Sequence, residues 1–599
     1  MWSILMSVFL AALSALSNPA DAVAVIGISA GVNNATGERP FRHDINELYM
    51  SGPAWDLFIL SLREFQQVDQ NDPLSYYQVA GIHGLPQAPW DGVVGQGASP
   101  GYCVHGAATF PTWHRPYVAL FEQILWTHAQ SIAQDYPLSQ RDSYVTAAQS
   151  LRMPYWDAFN SPTLPLAASS PNITVNGPNG TRTFDNPLYK YTFHANEGGN
   201  RFPADNWLSQ FPWTVRHWDS ANQQSNIIEV NAELEHQYDA VLPLIYKLFA
   251  SETDYTKMSC TTSSGNSIEN VHNLVHNAVG GNGHMTDTVI AAFDPIFWLH
   301  HTNVDRLFAM WQAINPQSYV VPTTNTVGNY AVPKGFVETA DSSLLPFHSD
   351  NGTRFWSSNG VRSIRTFGYA YQDVMDWNTN QSTLAGNVRA NINRLYAPTV
   401  TTRQPRRYSS ASNTEPPGAH TESSHMTSTL RSNESERQWT IAVQVRRSAH
   451  QSPFLIDFFI GTPPSSPSAW STAGNLVGSH AQFIASNLDL THLDGSQSAL
   501  SHGEVSLTHC LLSNVERGAL ADLEPDSVIP FLTRSLNWRA RDMEGCELDL
   551  GSLAGLSIAV GSQIVRAAKI PDGFPTYDEM EMYANVTAGR PGGWERRAA

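Results

Sequence analysis

The residues best able to do chemistry in this chain are histidines, and they fall into two groups. His272 and His276 stand four apart in ENVHNLVH, about one helical turn, so one rigid helix can aim both imidazoles at a single ion. The pair His300 and His301 follows in FDPIFWLHHTNVDRLFAMW. That run reads as an Asp-Pro helix start leading into apolar residues at helical spacing, and it brings a third imidazole from a second helix. Upstream, His83 lies in QVAGIHGLP and His105 follows Cys103 by two residues in GYCVHGAATF. His114 opens HRPYVALFEQILWTHAQSIAQDY, where Val118, Leu120, Phe121, Ile124 and Leu125 mark an amphipathic helix. A lone histidine is more often an ordinary polar residue than a ligand. Two triads, each with a histidine on or entering a predicted helix, point instead to bound transition metal.

The elements that position these residues belong to a long chain. Its 599 residues suggest two or three domains with ample core, and 17 Trp, 21 Tyr and 25 Phe make it rich in aromatics. A formal charge of −18 argues against nucleic acid or an anionic membrane as partner and suits a neutral, aromatic substrate. Residues 1–22 form a short apolar run ending in Ala20-Asp21-Ala22, the small-residue spacing of a cleaved signal peptide. Seven Asn-X-Ser/Thr sequons, at Asn34, Asn172, Asn179, Asn351, Asn380, Asn433 and Asn585, are compatible with glycosylation on a secretory route. No other run approaches the roughly 18 to 20 apolar residues of a membrane span. Four cysteines without a CxxC pair are too few to staple a chain of this size, and a disulfide between Cys510 and Cys546 is left open.

The chain divides into a core over 23–400, a polar Ser/Thr-rich linker over 401–437, and a β-rich C-terminal domain and tail over 438–599. The linker contains Arg406-Arg407, a dibasic pair open to a processing protease. In the last part WTIAVQV, FLIDFFIG, SVIPFL and LSIAVG read as strands of a β-sandwich, and the final FPTYDEMEMYANVTAGRPGGW as a surface-wrapping or disordered end. The stretch from about 160 to 250, rich in Pro, Asn and Trp, reads as loops that could wall a pocket.

These residues resemble a known family. AGIHGLP, YCVHG and FPTWHRPY in the first half, and the ENVHNLVH, GHM and AAFDPIFWLHHTNVDRL runs in the second, make the chain similar to fungal tyrosinases. These belong to the type-3 dicopper superfamily, with catechol oxidases and molluscan hemocyanins. The resemblance covers roughly 25–375, ending at the Tyr369-Ala370-Tyr371 pair. It implies a mainly α core with a four-helix-bundle dicopper centre, followed by a β-sandwich-like domain that covers the pocket and keeps the enzyme latent. It implies that His83, His105 and His114 hold one copper and His272, His276 and His301 the other, with His300 in a neighbouring place. Cys103 matches the position that forms a thioether bridge to His105. Glu269 matches a carboxylate that, with Asn273, holds a water able to take a phenolic proton. Phe297 and Asn277 match substrate-positioning sites. Asp305 is expected in a salt bridge, and Arg152 and Asp157 in the scaffold.

The residue chemistry agrees while being less specific. All-imidazole ligation without carboxylates disfavours a carboxylate-bridged di-iron centre, whose Glu-x-x-His pair has one counterpart here, Glu269 with His272. It favours two coppers cycling between Cu(I) and Cu(II), with zinc as the alternative. The expected activity is ortho-hydroxylation of small monophenols and oxidation of o-diphenols to o-quinones with dioxygen, in a protein made latent and freed by a protease. The alternatives are a catechol oxidase lacking the hydroxylase step and a zinc-dependent, tyrosinase-like enzyme of the cyclopenase type doing non-redox chemistry. An oxygen carrier is disfavoured because this chain has one such unit. The C-terminal domain lacks the CxxC of some relatives, and nothing in its sequence singles out the residue that would plug the pocket. Neither does the sequence give the oligomeric state.

Overall fold

A computed structural model describes residues 22–95, 101–194, 202, 206–398, 435–484, 499–570 and 572–595. The expected signal peptide, up to its last residue, and nearly all of the expected linker with its Arg406-Arg407 pair lie outside the described residues.

Six helices of the core matter for the site: α1 (Pro53–Gln67), α2 (Phe110–Gln134), α3 (Ile227–Ser251), α4 (Ile268–Gly280), α5 (Ile296–Ile314) and α6 (Gln381–Tyr396). Helix α1 packs on α2, α2 on α5, and α5 on α4, which makes the expected bundle of four. The starts of α4 and α5 have local causes. The Ser267 hydroxyl accepts the Asn270 N–H at 3.1 Å to cap α4, a contact worth about 1 kcal/mol. Gly281 ends the same helix at φ +56°, where a side chain would be strained. For α5, the Asp294 carboxylate accepts the Ile296 N–H at 3.1 Å while Arg216 holds it at 2.6 Å. All of α4 is buried, so its histidines face protein on every side.

One expectation for the core fails. Within 160–250 the chain forms a hairpin, β1 (Asn172–Gly177) and β2 (Gly180–Asp185), and then the 25-residue helix α3, which packs along α4. Pro and Asn averaged over the whole stretch hid a helical period in Val230, Leu234, Val241, Leu244, Ile245 and Leu248, all buried.

Asp305 is the hub that locks the bundle. Its carboxylate pairs with Arg115 at 2.6 Å and Arg42 at 3.2 Å, and accepts the hydroxyls of Tyr369 at 2.6 Å and Tyr371 at 2.8 Å. Burial opposes its charge, but Arg115 and Arg42 win and hold it below the usual carboxylate range. Arg152 donates to the carbonyls of Gly368, Ile28 and Ala30, and Asp157 pairs with Arg306, so both are scaffold as expected.

The C-terminal domain is a two-sheet sandwich. Strands β3 (Ser435–Arg446), β4 (Phe454–Ile460), β5 (Leu476–Gln482), β6 (Leu500–Ser506), β7 (Leu536–Asp542) and β8 (Ser557–Arg566) pair antiparallel, in the orders β5-β4-β7 and β6-β3-β8. Trp439, Ile441, Val443 and Val445 of β3 alternate inward and meet Ile456, Phe458, Trp538, Ile558 and Val560 in the domain's own core. SVIPFL is not a strand. It lies in helix α8 (Pro525–Ser535), which follows the short helix α7 (Thr508–Glu516), and buries Val528 and Leu532 one turn apart. A six-residue apolar run cannot by itself separate helix from strand. Cys510 and Cys546 are both free, so the disulfide left open by the sequence is not formed. The end of the chain wraps the sandwich, with Thr576–Tyr577 and Glu581–Met582 adding to β8 and the Trp538 indole donating to the Pro591 carbonyl at 2.9 Å.

The six sequon asparagines among the described residues, Asn34, Asn172, Asn179, Asn351, Asn380 and Asn585, are all exposed. No helix of the described residues is long and apolar enough to cross a membrane.

Candidate metal centre

The bundle brings both histidine groups to one buried place. His272 and His276 come from one face of α4, His301 from α5 and His114 from the first turns of α2. His83 and His105 come from the loops before α2. None of the six rings is more than 5 % exposed. The Nε2 atoms of His272 and His276 each lie 3.2 Å from Nε2 of His301. Two nitrogens about 2.0 Å from one ion, at angles between square-planar and tetrahedral, lie about 2.9 to 3.4 Å apart, so this spacing suits a coordinated metal. The ring nitrogens of His83, His114 and His301 also come within 4.8 Å of one another, as do those of His83 and His105 with the Cys103 sulfur. His105 reaches the second group too, with ring centroids 5.7 Å from His272.

Hydrogen bonds at the far nitrogens fix which atoms face inward. The Nδ1–H groups of His83, His114 and His276 donate to the carbonyls of Thr288 (2.7 Å), Phe110 (2.8 Å) and Met285 (2.7 Å). His272 Nδ1 donates to the Asn273 side-chain oxygen at 2.9 Å. Each such bond leaves Nε2 with a bare lone pair pointing into the cluster. Burial, helped by neighbouring rings, holds protonation of His83, His105, His272, His276 and His301 well below the ordinary histidine range. Burial alone carries His114 down to about 3. Converging lone pairs without protons repel unless a cation sits between them, and this is the chemistry of a metal site.

His300 is the ambiguous one. Its ring nitrogens fall in the same group as those of His272, His276 and His301. Yet its ring stacks on His272 with centroids 5.0 Å apart, and both its nitrogens lack a hydrogen-bond partner among the described residues. The 3.2 Å approaches are made by His301.

The other expected residues are placed as follows. The Cys103 sulfur lies 3.3 Å from His105 Nδ1, against the ring it is expected to bridge, and burial pushes its thiol pKa up. Phe297 stacks on His301 at 3.9 Å and meets His83 edge-on at 5.0 Å. Asn277 donates back to the Asn273 carbonyl at 2.8 Å, and its own side-chain oxygen is buried without a partner among the described residues. Glu269 is fully buried. Its carboxylate accepts the Gly106 N–H with both oxygens, at 2.8 and 3.0 Å, and the Thr261 N–H at 2.8 Å. Asn273 directs its side-chain oxygen to His272, so the hydrogen bonds seen at Glu269 and Asn273 run to different partners.

Sequence reasoning missed two residues of the C-terminal domain. Phe483, directly after β5, is fully buried and stacks on His276 with ring centroids 4.3 Å apart and an interplanar angle of 29°. It also meets His272 at 5.7 Å and His105 at 5.5 Å edge-on. Arg447, just past β3, brings its guanidinium to 4.0 Å from Glu269. The only available signal was their place at strand ends, which nothing in the sequence distinguishes from ordinary sandwich positions.

Comparison with known proteins matches this architecture. Residues 73–314 match the family model of the common central domain of tyrosinase, and residues 438–560 that of the tyrosinase C-terminal domain. A tyrosinase of Podospora anserina is 31% identical, over 82% of this chain and 96% of its own length. A tyrosinase of Neurospora crassa is 29% identical, over 94% of this chain and 97% of its own. Among solved structures, a mushroom tyrosinase seen in latent and active forms aligns with a TM-score of 0.77 and 26% identity, covering 94% of this chain and 99% of that one. An Aspergillus oryzae pro-tyrosinase shares the fold, with a TM-score of 0.70 at 22% identity over 95% and 98%.

Proposed function

The chain belongs to the tyrosinase family of dicopper oxidases, and on that premise we propose that it hydroxylates small monophenols at the ortho position and oxidises o-diphenols to o-quinones. The observation that carries the reading is the convergence of six buried imidazoles, held below their ordinary protonation range, in overlapping groups around one space. His83, His105 and His114 would hold one copper and His272, His276 and His301 the other. Bound there, the pair supplies dioxygen binding and two-electron redox chemistry. In the full cycle a monophenol and one dioxygen give one quinone and one water.

The chain's own residues bind and orient. A phenol ring entering the place now filled by Phe483 would stack on His276, with Phe297 fixing His301 from below. Glu269 and Asn273 are the candidates to hold a water that takes the phenolic proton. Cys103 would tether His105 through a thioether, limiting the motion of that ring between copper states. Metal analysis and dioxygen uptake test this together. Protein purified without added metal is expected to carry about two coppers per chain and to consume dioxygen with both a monophenol and a diphenol. Zinc as the main metal sinks the oxidase reading, and turnover of the diphenol alone reduces it to a catechol oxidase.

The stack of Phe483 on His276 supports a latent form, with the C-terminal domain as a lid, since no ring can occupy the same face. Expected cleavage in the linker, after Arg406-Arg407 or nearby, would begin activation. The apolar start over 1–22 and the exposed sequons support a secreted glycoprotein, testable by mass change on enzymatic deglycosylation.

The lid should also feel pH. His480 on β5 is buried, and burial lowers its pKa to about 4, with His502 adding a small push. A histidine depressed below its unfolded value near 6.5 contributes stability that is present above that value and is lost as pH falls towards about 4, at about 1.4 kcal/mol per unit. Urea midpoints of the lid transition are therefore expected to fall between pH 7 and 4.5, and the His480→Phe variant to fall less. Equal slopes for the two proteins would refute the assignment.

A further inference from the structure

The lid reaches the site in two places, Phe483 at the face of His276 and a second contact at Glu269, about one turn before His272 on α4. Glu269 sits in a cradle made by the Gly106 N–H, the Thr261 N–H and the Thr261 hydroxyl, which donates to it at 3.2 Å. Lid residues hold that cradle from outside. The backbone N–H of His502 donates to the Thr261 carbonyl at 2.7 Å. The Arg447 guanidinium donates to the Thr261 hydroxyl at 3.5 Å and stands 4.0 Å from the Glu269 carboxylate. Gly106 keeps φ at +70°, and a side chain there would meet Arg447 Nη1 at 3.1 Å, so the cation lies directly over the turn that follows His105. Its backbone is pinned in turn by the Ala499 carbonyl at 2.9 Å. Arg447 is largely buried, its side chain 11% exposed, so the attraction is little screened by solvent.

We propose that, beside the Phe483 plug of the proposed latent form, the lid makes a second inhibitory contact through Arg447 at Glu269, and that Arg447 sets the ratio of monophenol hydroxylation to diphenol oxidation while the lid is docked. The inference rests on the proposed function, in which Glu269 serves the phenolic proton. The Gly106 and Thr261 donors already take most of the carboxylate's lone pairs, and the charge of a guanidinium 4.0 Å away further opposes its drawing a proton from a water or a phenol. The two substrates depend on it unequally. In the proposed reading a monophenol gives up its proton to the water that Glu269 helps to hold. An o-diphenol stabilises its own phenolate through an internal hydrogen bond from the neighbouring hydroxyl. Trimming Phe483 therefore opens the site to both rings but frees the chemistry of only one.

The test uses copper-loaded full-length protein, with initial rates on a monophenol and on the matching o-diphenol. The reference is the parent after limited proteolysis has removed the lid. Phe483→Ala is expected to oxidise the diphenol well above the parent, with a monophenol-to-diphenol ratio at least about tenfold below the reference, the scale of one charge-assisted contact. Adding Arg447→Met should bring the ratio back to the reference with little change on the diphenol, and Arg447→Lys should leave it low. A general loosening of the lid would raise both rates together and leave the ratio alone. The inference is overturned if Phe483→Ala already shows the reference ratio, if Arg447→Met shifts both rates equally, or if Phe483→Ala is as latent as the parent. A reference that oxidises diphenol but never monophenol overturns the hydroxylase reading first, and this inference with it; that case is recognised from the reference alone.

Discussion

Replacing His301 with alanine is expected to abolish dioxygen uptake, by more than the 10- to 100-fold that loss of an outer partner of a metal ligand typically costs. Metal content should fall by about half or more. The same change at His300 is predicted to spare both. The reasoning is geometric. Nε2 of His301 is the point at which His272 and His276 both arrive at 3.2 Å, and its ring also stacks on His114 at 4.6 Å, so it stands between the two groups. His300 offers a ring face to His272, and although a nitrogen of it lies within 4.8 Å of the others, the 3.2 Å approaches are made to His301. Because alanine in a tightly packed place also leaves a cavity costing a few kcal/mol, His300→Phe is the cleaner control, keeping the ring and removing only the nitrogens. Metal analysis beside thermal unfolding separates the outcomes. If His300→Phe loses metal while His301→Ala retains it at unchanged stability, the assignment is reversed.

The parts of this site that the sequence made legible are those set by local rules. His272 and His276 share a face because four residues make about one turn, and α4 begins at Ser267 and ends at Gly281 as capping chemistry dictates. Asp294-Pro295 announces α5, and the ring of Asp305 partners follows from a buried carboxylate needing cations. What stayed hidden depends on tertiary placement. Helix α3 was masked by Pro and Asn in its surroundings. SVIPFL in α8 was too short for its period to decide. The plug was invisible because Phe483 differs from any other apolar strand end only in what lies opposite, and that is decided by how β5 docks on α3 and α4. The choice between His300 and His301 came from resemblance, and the different contacts of adjacent residues on α5 now give it a physical basis.

Cutting the chain once between residues 399 and 434 is expected to leave the lid in place, and activity should rise at least tenfold only when the lid departs. The contacts that hold it do not pass through the linker. Leu455, Ala481 and Phe483 are part of the core's own hydrophobic cluster, and Gly478 lies so close to α3 that a side chain there would meet Ala240 at 2.8 Å. Polar contacts fix the register. Gln237 donates to Ser479 at 2.8 Å, Lys247 pairs with Glu504 at 2.7 Å, and Arg541, bound to Asp457 at 2.7 Å, stands 3.7 Å from Glu233. Fully burying one phenylalanine is worth about 1.5 to 3 kcal/mol, and the two neighbouring apolar side chains add to that. Severing the connecting chain removes only the effective concentration it supplied, of the order of millimolar, so a tightly docked lid remains bound at micromolar protein. Nicked protein should therefore run as one species in size-exclusion chromatography and stay latent. Mild detergent or further digestion of the lid should then release activity towards a diphenol. Lys247→Ala, which leaves Glu504 without its partner, should make the nicked form dissociate more readily without touching the histidine cluster. Separation of the two fragments immediately on the first cut, with full activity, would show that the linker and not the interface holds the lid.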